Sequence, residues 1–290
     1  MKKILYIITA VCLCAILFGC HSESAVQVAT TTAPVHEFTM RICDGTDISV
    51  GRIITEDVSC LHDYTLQTGQ MRTIENAQII ILSGAGLEDF LLDVLPRTGT
   101  IIDASESIDL LCRESDHDHD AHDHHAYDPH IWLSPANARQ MAKNICSGLT
   151  KAYPQHENIF NVNLKSLLTE LTELESYGTQ QLKSLSNRRL ITFHDGFSYL
   201  ANAFDLEILY EIEEESGSEA TASELIEICQ IILSDNLPAV FTELNGSVSA
   251  AEIISAETGA GIYQLNMAMS GDGYFHAMYH NIDMLKEALE

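Results

Sequence analysis

Short runs of β-branched and apolar residues alternate with longer segments whose apolar positions recur three or four residues apart. Ile79-Ile80-Ile81-Leu82, closed by Ser83-Gly84-Ala85-Gly86, reads as a buried strand feeding a helix from Leu87 to about Leu95. Gly99 to Asp103 repeats the strand signal, and Ile53 to Val58 is strand-like before a helix near 67–76. In the second half, Leu190 to Phe193, Leu206 to Ile212, Ala239 to Leu244 and Gly261 to Leu265 are strand-like. They alternate with helical patterns near 196–204, 221–235 and 247–258, and Gly271-Asp272-Gly273-Tyr274 opens a last helix. Strand–helix alternation predicts mainly parallel sheets covered by helices.

Between these halves Pro135 starts a helix that runs to about Lys151, and Pro154 ends it. Leu164, Leu167, Leu168, Leu171, Leu174 and Leu182 then recur at helical spacing within His156 to Ser186, with Gly178 the one breaker. That predicts one stiff helix of roughly 45 Å at 1.5 Å per residue, linking two α/β lobes. The expected organisation is a leader over 1–20, a flexible tether over 21–36, a first lobe over 37–154, a linking helix over 155–188 and a second lobe over 189–290.

The leader follows from Met1-Lys2-Lys3, an apolar run from Ile4 to Phe18, and Gly19-Cys20. A basic start and a short apolar stretch are a secretory signal rather than a membrane span. Leu17-Phe18-Gly19-Cys20 resembles a bacterial lipobox, which implies lipidation of Cys20 and a body held outside the cytoplasm, at the cell surface or in the periplasm. Five cysteines follow Cys20, an odd number without a CxxC spacing, and read mostly as small buried residues with at most one disulfide.

Charge narrows the partners. Against 15 Lys and Arg stand 42 Asp and Glu, a formal net charge of −27, so nucleic acid would be repelled and a cation attracted. The 13 histidines are unevenly placed. From Asp116 to His125 the chain carries five His (His117, His119, His122, His124 and His125) among four Asp. Such a tract builds no core; as a loop it would bind borderline metals loosely and in many geometries.

Three other histidines lie at corners. His62 follows the first strand-like stretch, His130 is set between Pro129 and a helix opening at Pro135, and His194 ends a strand where a helix begins. In open α/β sheets that edge collects ligands. Each alone is more often structural; three together beside a His-rich loop point to a metal site. His276 and His280, four apart on the last helix, lack a third ligand and read as an exposed face. Three His with an open position also describes a catalytic zinc, but no HExxH helix or nucleophile elbow accompanies it, so a zinc hydrolase is the lesser alternative to a binding protein without catalysis.

The order His62-x-Tyr64, His-rich loop, Asp128-Pro129-His130-Ile131-Trp132-Leu133 and Phe193-His194-Asp195-Gly196 resembles the metal-binding lipoproteins of cluster A-I ABC transporters, and more narrowly the zinc-uptake substrate-binding proteins. The resemblance covers nearly all the chain beyond about residue 52. It implies two lobes joined by a rigid helix, with zinc in the cleft on His62, His130 and His194, carried as cargo by a monomer to an ABC permease driven by a cytoplasmic ATPase. Manganese or another divalent metal is the alternative cargo within the same family; three neutral imidazoles favour zinc. Two departures stand out. Ser59-Cys60-Leu61 precede His62 where the family carries Pro and Asp, and Asn266 lies where an acidic fourth ligand often sits. The fourth position is thus open to water, Glu213, Asn266 or a loop side chain. The segment from 37 to 50 looks like a reduced first strand and helix.

Overall fold

The computed structural model describes residues 26–56, 61, 64–91, 93–95, 99–112, 127–213, 220–244 and 246–290. His62, Cys60, the tract 116–125, Cys20 and the leader lie outside these residues, as does the side chain of Glu213. Among the described residues, eight strands form two sheets. In the first, β1 (Val28–Thr30), β2 (Val50–Arg52), β3 (Ile79–Leu82) and β4 (Thr100–Asp103) lie in the order β2-β1-β3-β4, every pairing parallel. In the second, β5 (Arg189–His194), β6 (Glu207–Glu213), β7 (Ala239–Glu243) and β8 (Gly261–Leu265) lie in the order β6-β5-β7-β8, again all parallel. Helices cover both, as the alternation predicts.

The first lobe starts earlier than expected. Residues 28–30, read as tether, are one of the two inner strands of the first sheet, and Ala33–Cys43 is a complete helix with Pro34 in its first turn. Val28 and Ala29 are wholly buried. The segment escapes a hydropathy reading because a strand buried on both faces in tight quarters is built here from Val, Ala and Thr, small side chains that also suit a linker. The first strand–helix unit is therefore whole, not reduced. β2 likewise falls on Val50–Arg52; Ile53 and Ile54 lie past its end, buried in the core.

The helix expected over 87–95 is instead a single 3₁₀ turn, Asp89–Leu91, within a loop. Gly84 and Gly86 both sit at φ +84°, with Ala85 between them at φ 56°. The Glu88 carboxylate reaches back to accept from the backbone N–H of Ser83 (2.7 Å) and Gly84 (3.0 Å), and from the Thr31 hydroxyl (2.5 Å). It ties the ends of β1 and β3 together. Burial, with Asp103 nearby, pushes this carboxyl up to about 7 despite those donors.

A raised folded-state value means the native chain keeps a proton that the unfolded chain loses near 4.5. The Glu88 contribution is therefore complete below about pH 4.5 and is lost as pH rises to about 7, a loss on the order of 3 kcal/mol. Urea unfolding should show wild type losing more stability between pH 5 and pH 8 than Glu88→Gln does. Equal losses in the two proteins would show that Glu88 does not titrate in that window.

The helix Pro135–Ala152 packs on β4 and on Ala33–Cys43, opening on Ser134, whose hydroxyl accepts from Asn137 N–H at 3.4 Å, and the helix Glu157–Gln181 follows it. The second is the expected linking helix, 25 residues or about 37 Å long. Phe160, Leu167, Leu171, Leu174 and Gly178 form its buried stripe. Gly178 is required by close packing: a Cβ there would lie 2.3 Å from the Phe204 ring and 3.0 Å from Ile282. Bidentate Arg139–Glu175 bonds (2.8 and 3.1 Å), Arg41–Glu170 (2.6 Å) and Lys286–Gln181 (2.8 Å) fix the helix to its surroundings.

One apolar core runs from the first lobe through this helix into the second; a smaller one lies between the second sheet and the helices Ala222–Asp235 and Ser249–Thr258. Cys43, Cys112, Cys146 and Cys229 are free thiols. Burial pushes Cys43 up to about 12, which keeps it unreactive. Among the described residues no helix is long and apolar enough to cross a membrane.

Candidate metal centre

His194 ends β5, whose Leu190 to His194 are all buried, and Asp195-Gly196 turns the chain into the short helix Ser198–Ala203. His130 arrives from a different direction. Pro129 precedes it, a 3₁₀ turn of Ile131–Leu133 follows, and then the Pro135 helix begins. Ile131, Trp132 and Leu133 are wholly buried and anchor that corner. The Trp132 indole N–H donates to the Met267 carbonyl (2.8 Å) just past β8, and the Tyr274 hydroxyl donates to the Trp132 carbonyl (2.9 Å). His130 is thus held against the second lobe by bonds spanning more than a hundred residues.

The two rings meet. His130 and His194 are 1% and 2% exposed, and their centroids lie 5.2 Å apart at 79°. Two imidazoles bound through Nε2 to one tetrahedral zinc, with Zn–N at 2.0–2.1 Å, place their centroids about 5.2 Å apart. Gly196 permits this approach. A Cβ there would lie 2.5 Å from Met267 Cε, 2.8 Å from His194 Cδ2 and 2.9 Å from His130 Nδ1. Trp132 packs edge-on against His130 at 5.4 Å, and Phe197 against His194 at 6.5 Å, so aromatic rings back both histidines.

Both rings carry a carboxylate on the Nδ1 side. Asp128 Oδ1 lies 2.8 Å from His130 Nδ1 and also accepts from the His130 backbone N–H at 2.8 Å. A carboxylate only accepts, so Nδ1 is the donor in this bond, the arrangement in which a metal-binding histidine presents Nε2. Asp195 Oδ1 stands 3.7 Å from His194 Nδ1, and Glu243 Oε1 stands 3.7 Å from His194 Nε2. All three carboxylates belong to largely buried side chains. The carboxylate–histidine arrangement raises ligand basicity and fixes ring direction. Asp128→Asn should therefore weaken metal binding about 10- to 100-fold while preserving one site per chain, read by titration against a chelating dye. Unchanged affinity would deny Asp128 that role.

Sequence reasoning singled out His130 and His194, and the structure brings them together; His62 and the His-rich tract lie outside the described residues. Asn266 is buried close by, but its Oδ1 accepts from Ala268 N–H (2.8 Å), so its oxygen shapes the local turn. Glu213 pairs with His194 along β6, its backbone at the same sheet edge. His276 is exposed and His280 Nε2 lies 3.0 Å from the Gln264 carbonyl, so these two do not form a pair. Asp128, Asp195 and Glu243 were missed. Adjacency to the histidines was the signal for the first two, and β5–β7 pairing for the third. Among the described residues, no group of three or more His, Cys, Asp or Glu is gathered tightly enough to hold an ion. The pair is half a site that needs further ligands.

Two all-parallel α/β lobes joined by a long helix, with one buried histidine at the carboxyl end of β5 meeting a second from the Pro129 corner, are the architecture of a two-lobed binding protein with its candidate metal centre beside a sheet edge. The chain belongs to the family described as zinc-uptake complex component A, periplasmic, whose model matches residues 28–288. It is 28% identical over 282 residues to the high-affinity zinc uptake system protein ZnuA of Bacillus subtilis, covering 91% of this chain and 87% of that one. It is 26% identical over 311 residues to the zinc-binding lipoprotein AdcA of Streptococcus pneumoniae, covering all of this chain but 62% of that longer protein. The crystal structure of the metal-dependent lipoprotein YcdH from Bacillus subtilis superposes with a TM-score of 0.78 at 26% identity, over 91% of this chain and 99% of that one. This is a family of transport binding proteins, not of enzymes, and the hydrolase alternative falls away.

Proposed function

We propose that the protein captures zinc outside the cytoplasm and delivers it to an ABC permease powered by a cytoplasmic ATPase. The carrying observation is the His130–His194 pair, whose 5.2 Å centroid separation suits two imidazoles on one tetrahedral zinc. His62 is the third imidazole in this reading. Neutral nitrogen donors favour zinc over manganese, which prefers more carboxylate oxygen. The names of the relatives and the family agree with zinc as cargo. Cys20 carries the lipid that holds the body at the membrane, the chain acts as a monomer, and the histidines between His117 and His125 bind extra zinc loosely.

Metal analysis of the purified mature chain, with zinc and manganese in competition, tests this directly. One zinc per chain should survive dialysis in the presence of excess manganese. Deleting residues 116–125 should leave that zinc in place and remove only weaker additional binding. Retention of manganese at parity with zinc would reverse the choice of cargo. Loss of the tight zinc on deletion would make the tract a primary ligand.

A further inference from the structure

We propose that the outer face of the second lobe, on the helices Ala222–Asp235 and Ser249–Thr258, is a docking surface for a protein segment that presents Lys or Arg around apolar side chains. The inference stands apart from the zinc reading, because this face lies across the second sheet from His194.

Charge distribution is the first observation. From Leu190 to Leu285, 96 residues, the chain carries 16 Asp and Glu and not one Lys or Arg. All 15 basic residues lie outside that stretch, and several are already engaged: Arg41 with Glu170, Arg139 with Glu175 and Arg189 with Asp235. An ordinary surface intersperses both signs, since a one-signed face repels itself. Neither helix carries a basic residue in its last turn, where one would answer the helix dipole.

The second observation is an apolar stripe on the same face. Ile226 and Leu233 are 61% and 58% exposed and stand seven residues, two turns, apart on one side of their helix. Cys229 lies between them, and burial and the Glu257 carboxylate push its thiol up, which sets the neighbouring helix alongside the stripe. Ile253, 51% exposed, is one turn before Glu257 on that helix. Both helices fill the smaller core from their inner sides, with Ile228, Ile232, Ala251 and Ile254, so their outer sides look the same way. Ile191 and Phe193 enter that core from β5, and His194, the next residue, turns to the opposite face of the sheet. Exposed Glu227, Glu252 and Glu257 surround the branched side chains.

Exposed apolar groups within a polar rim mark interaction sites, and the sign of the rim selects the partner. An anionic membrane surface is repelled, and so is a second copy, which brings its own net charge of −27. A free cation would leave the apolar side chains uncovered. A basic amphipathic segment answers both features: its apolar side covers Ile226, Leu233 and Ile253, and its cations meet the carboxylates at the rim.

The test is calorimetric titration of the full-length mature chain, at about 150 mM salt, with a synthetic amphipathic helix of leucine and lysine and with its counterpart carrying glutamate for lysine. One lysine peptide should bind per chain, and the glutamate peptide should not bind. Ile226→Ser combined with Leu233→Ser should lower the affinity at least about 10-fold. Val162→Ser, at a 70% exposed position on the helix Glu157–Gln181, should leave it unchanged. Bound peptide should slow hydrogen exchange over 222–235 and 249–258. Glu227→Lys combined with Glu257→Lys keeps the apolar positions and should weaken binding by a similar factor; this pair decides if the serine variant does not fold. Undiminished binding by the variants, or protection spread over the whole lobe, would show diffuse attraction to negative charge and overturn the site. Binding to phosphatidylglycerol vesicles, or dimerisation, that the serine variant abolishes would give the face to a membrane or a second copy and overturn the basic partner.

Discussion

His194→Ala should abolish tight zinc binding. The ring is 2% exposed, sits at the end of a buried strand, and supplies one of the two nitrogens whose placement suits a shared ion. Replacing a group that merely orients a ligand costs about 10- to 100-fold in affinity. Removing the ligand itself leaves a vacant corner of the tetrahedron, so a loss beyond about 100-fold is expected, at least about 2.7 kcal/mol. Water is a weaker zinc donor than an imidazole held in place by its strand, so it does not fully replace the ring. Calorimetric titration with a competing chelator reads this, and circular dichroism should show the fold kept. Full-strength binding by the variant would take His194 out of the coordination shell.

The largest loss of stability is expected from Trp132→Ala. Trp132 is wholly buried in the core shared by both lobes, and its indole N–H bonds the Met267 carbonyl at 2.8 Å. Truncating a buried Trp to Ala costs about 3–5 kcal/mol. The orphaned Met267 carbonyl adds about 1–3 kcal/mol where no water reaches it. At about 2 °C per kcal/mol for a chain of this size, thermal unfolding should fall by about 10 °C. Trp132→Phe, which keeps most of the volume and loses the bond, should fall less. A midpoint within 2 °C of wild type for Trp132→Ala would show that this corner does not tie the lobes together. Zinc affinity should drop too, because the ring also backs His130 at 5.4 Å.

Most of the second lobe could be read from the chain because its strands are runs of Ile, Leu, Val and Phe between amphipathic helices. The first lobe hid one of its two inner strands. Val28-Ala29-Thr30 is buried by its position between β2 and β3, and nothing in three small residues reveals that position. The loop after β3 hid for another reason: Leu87, Leu91 and Leu95 have helical spacing, but Glu88 binds the backbone of Ser83 and Gly84 and holds a turn instead.

His130 and His194 were legible because each falls at a corner, one fixed by Pro129 and one at the end of a strand. The carboxylates were not, because Asp128, Asp195 and Glu243 are three among 42 acidic residues, nearly all of which could be surface. What distinguishes them is burial against a ring, which arises only once β5, β7 and the Pro129 corner are assembled.

X-ray absorption at the zinc edge of the loaded full-length chain puts the central claim to its sharpest test. A single zinc with the multiple-scattering pattern of three imidazoles and a first shell near 2.0–2.1 Å is the predicted spectrum. A shell of oxygens or sulfurs with one imidazole or none would contradict the shared site on His62, His130 and His194.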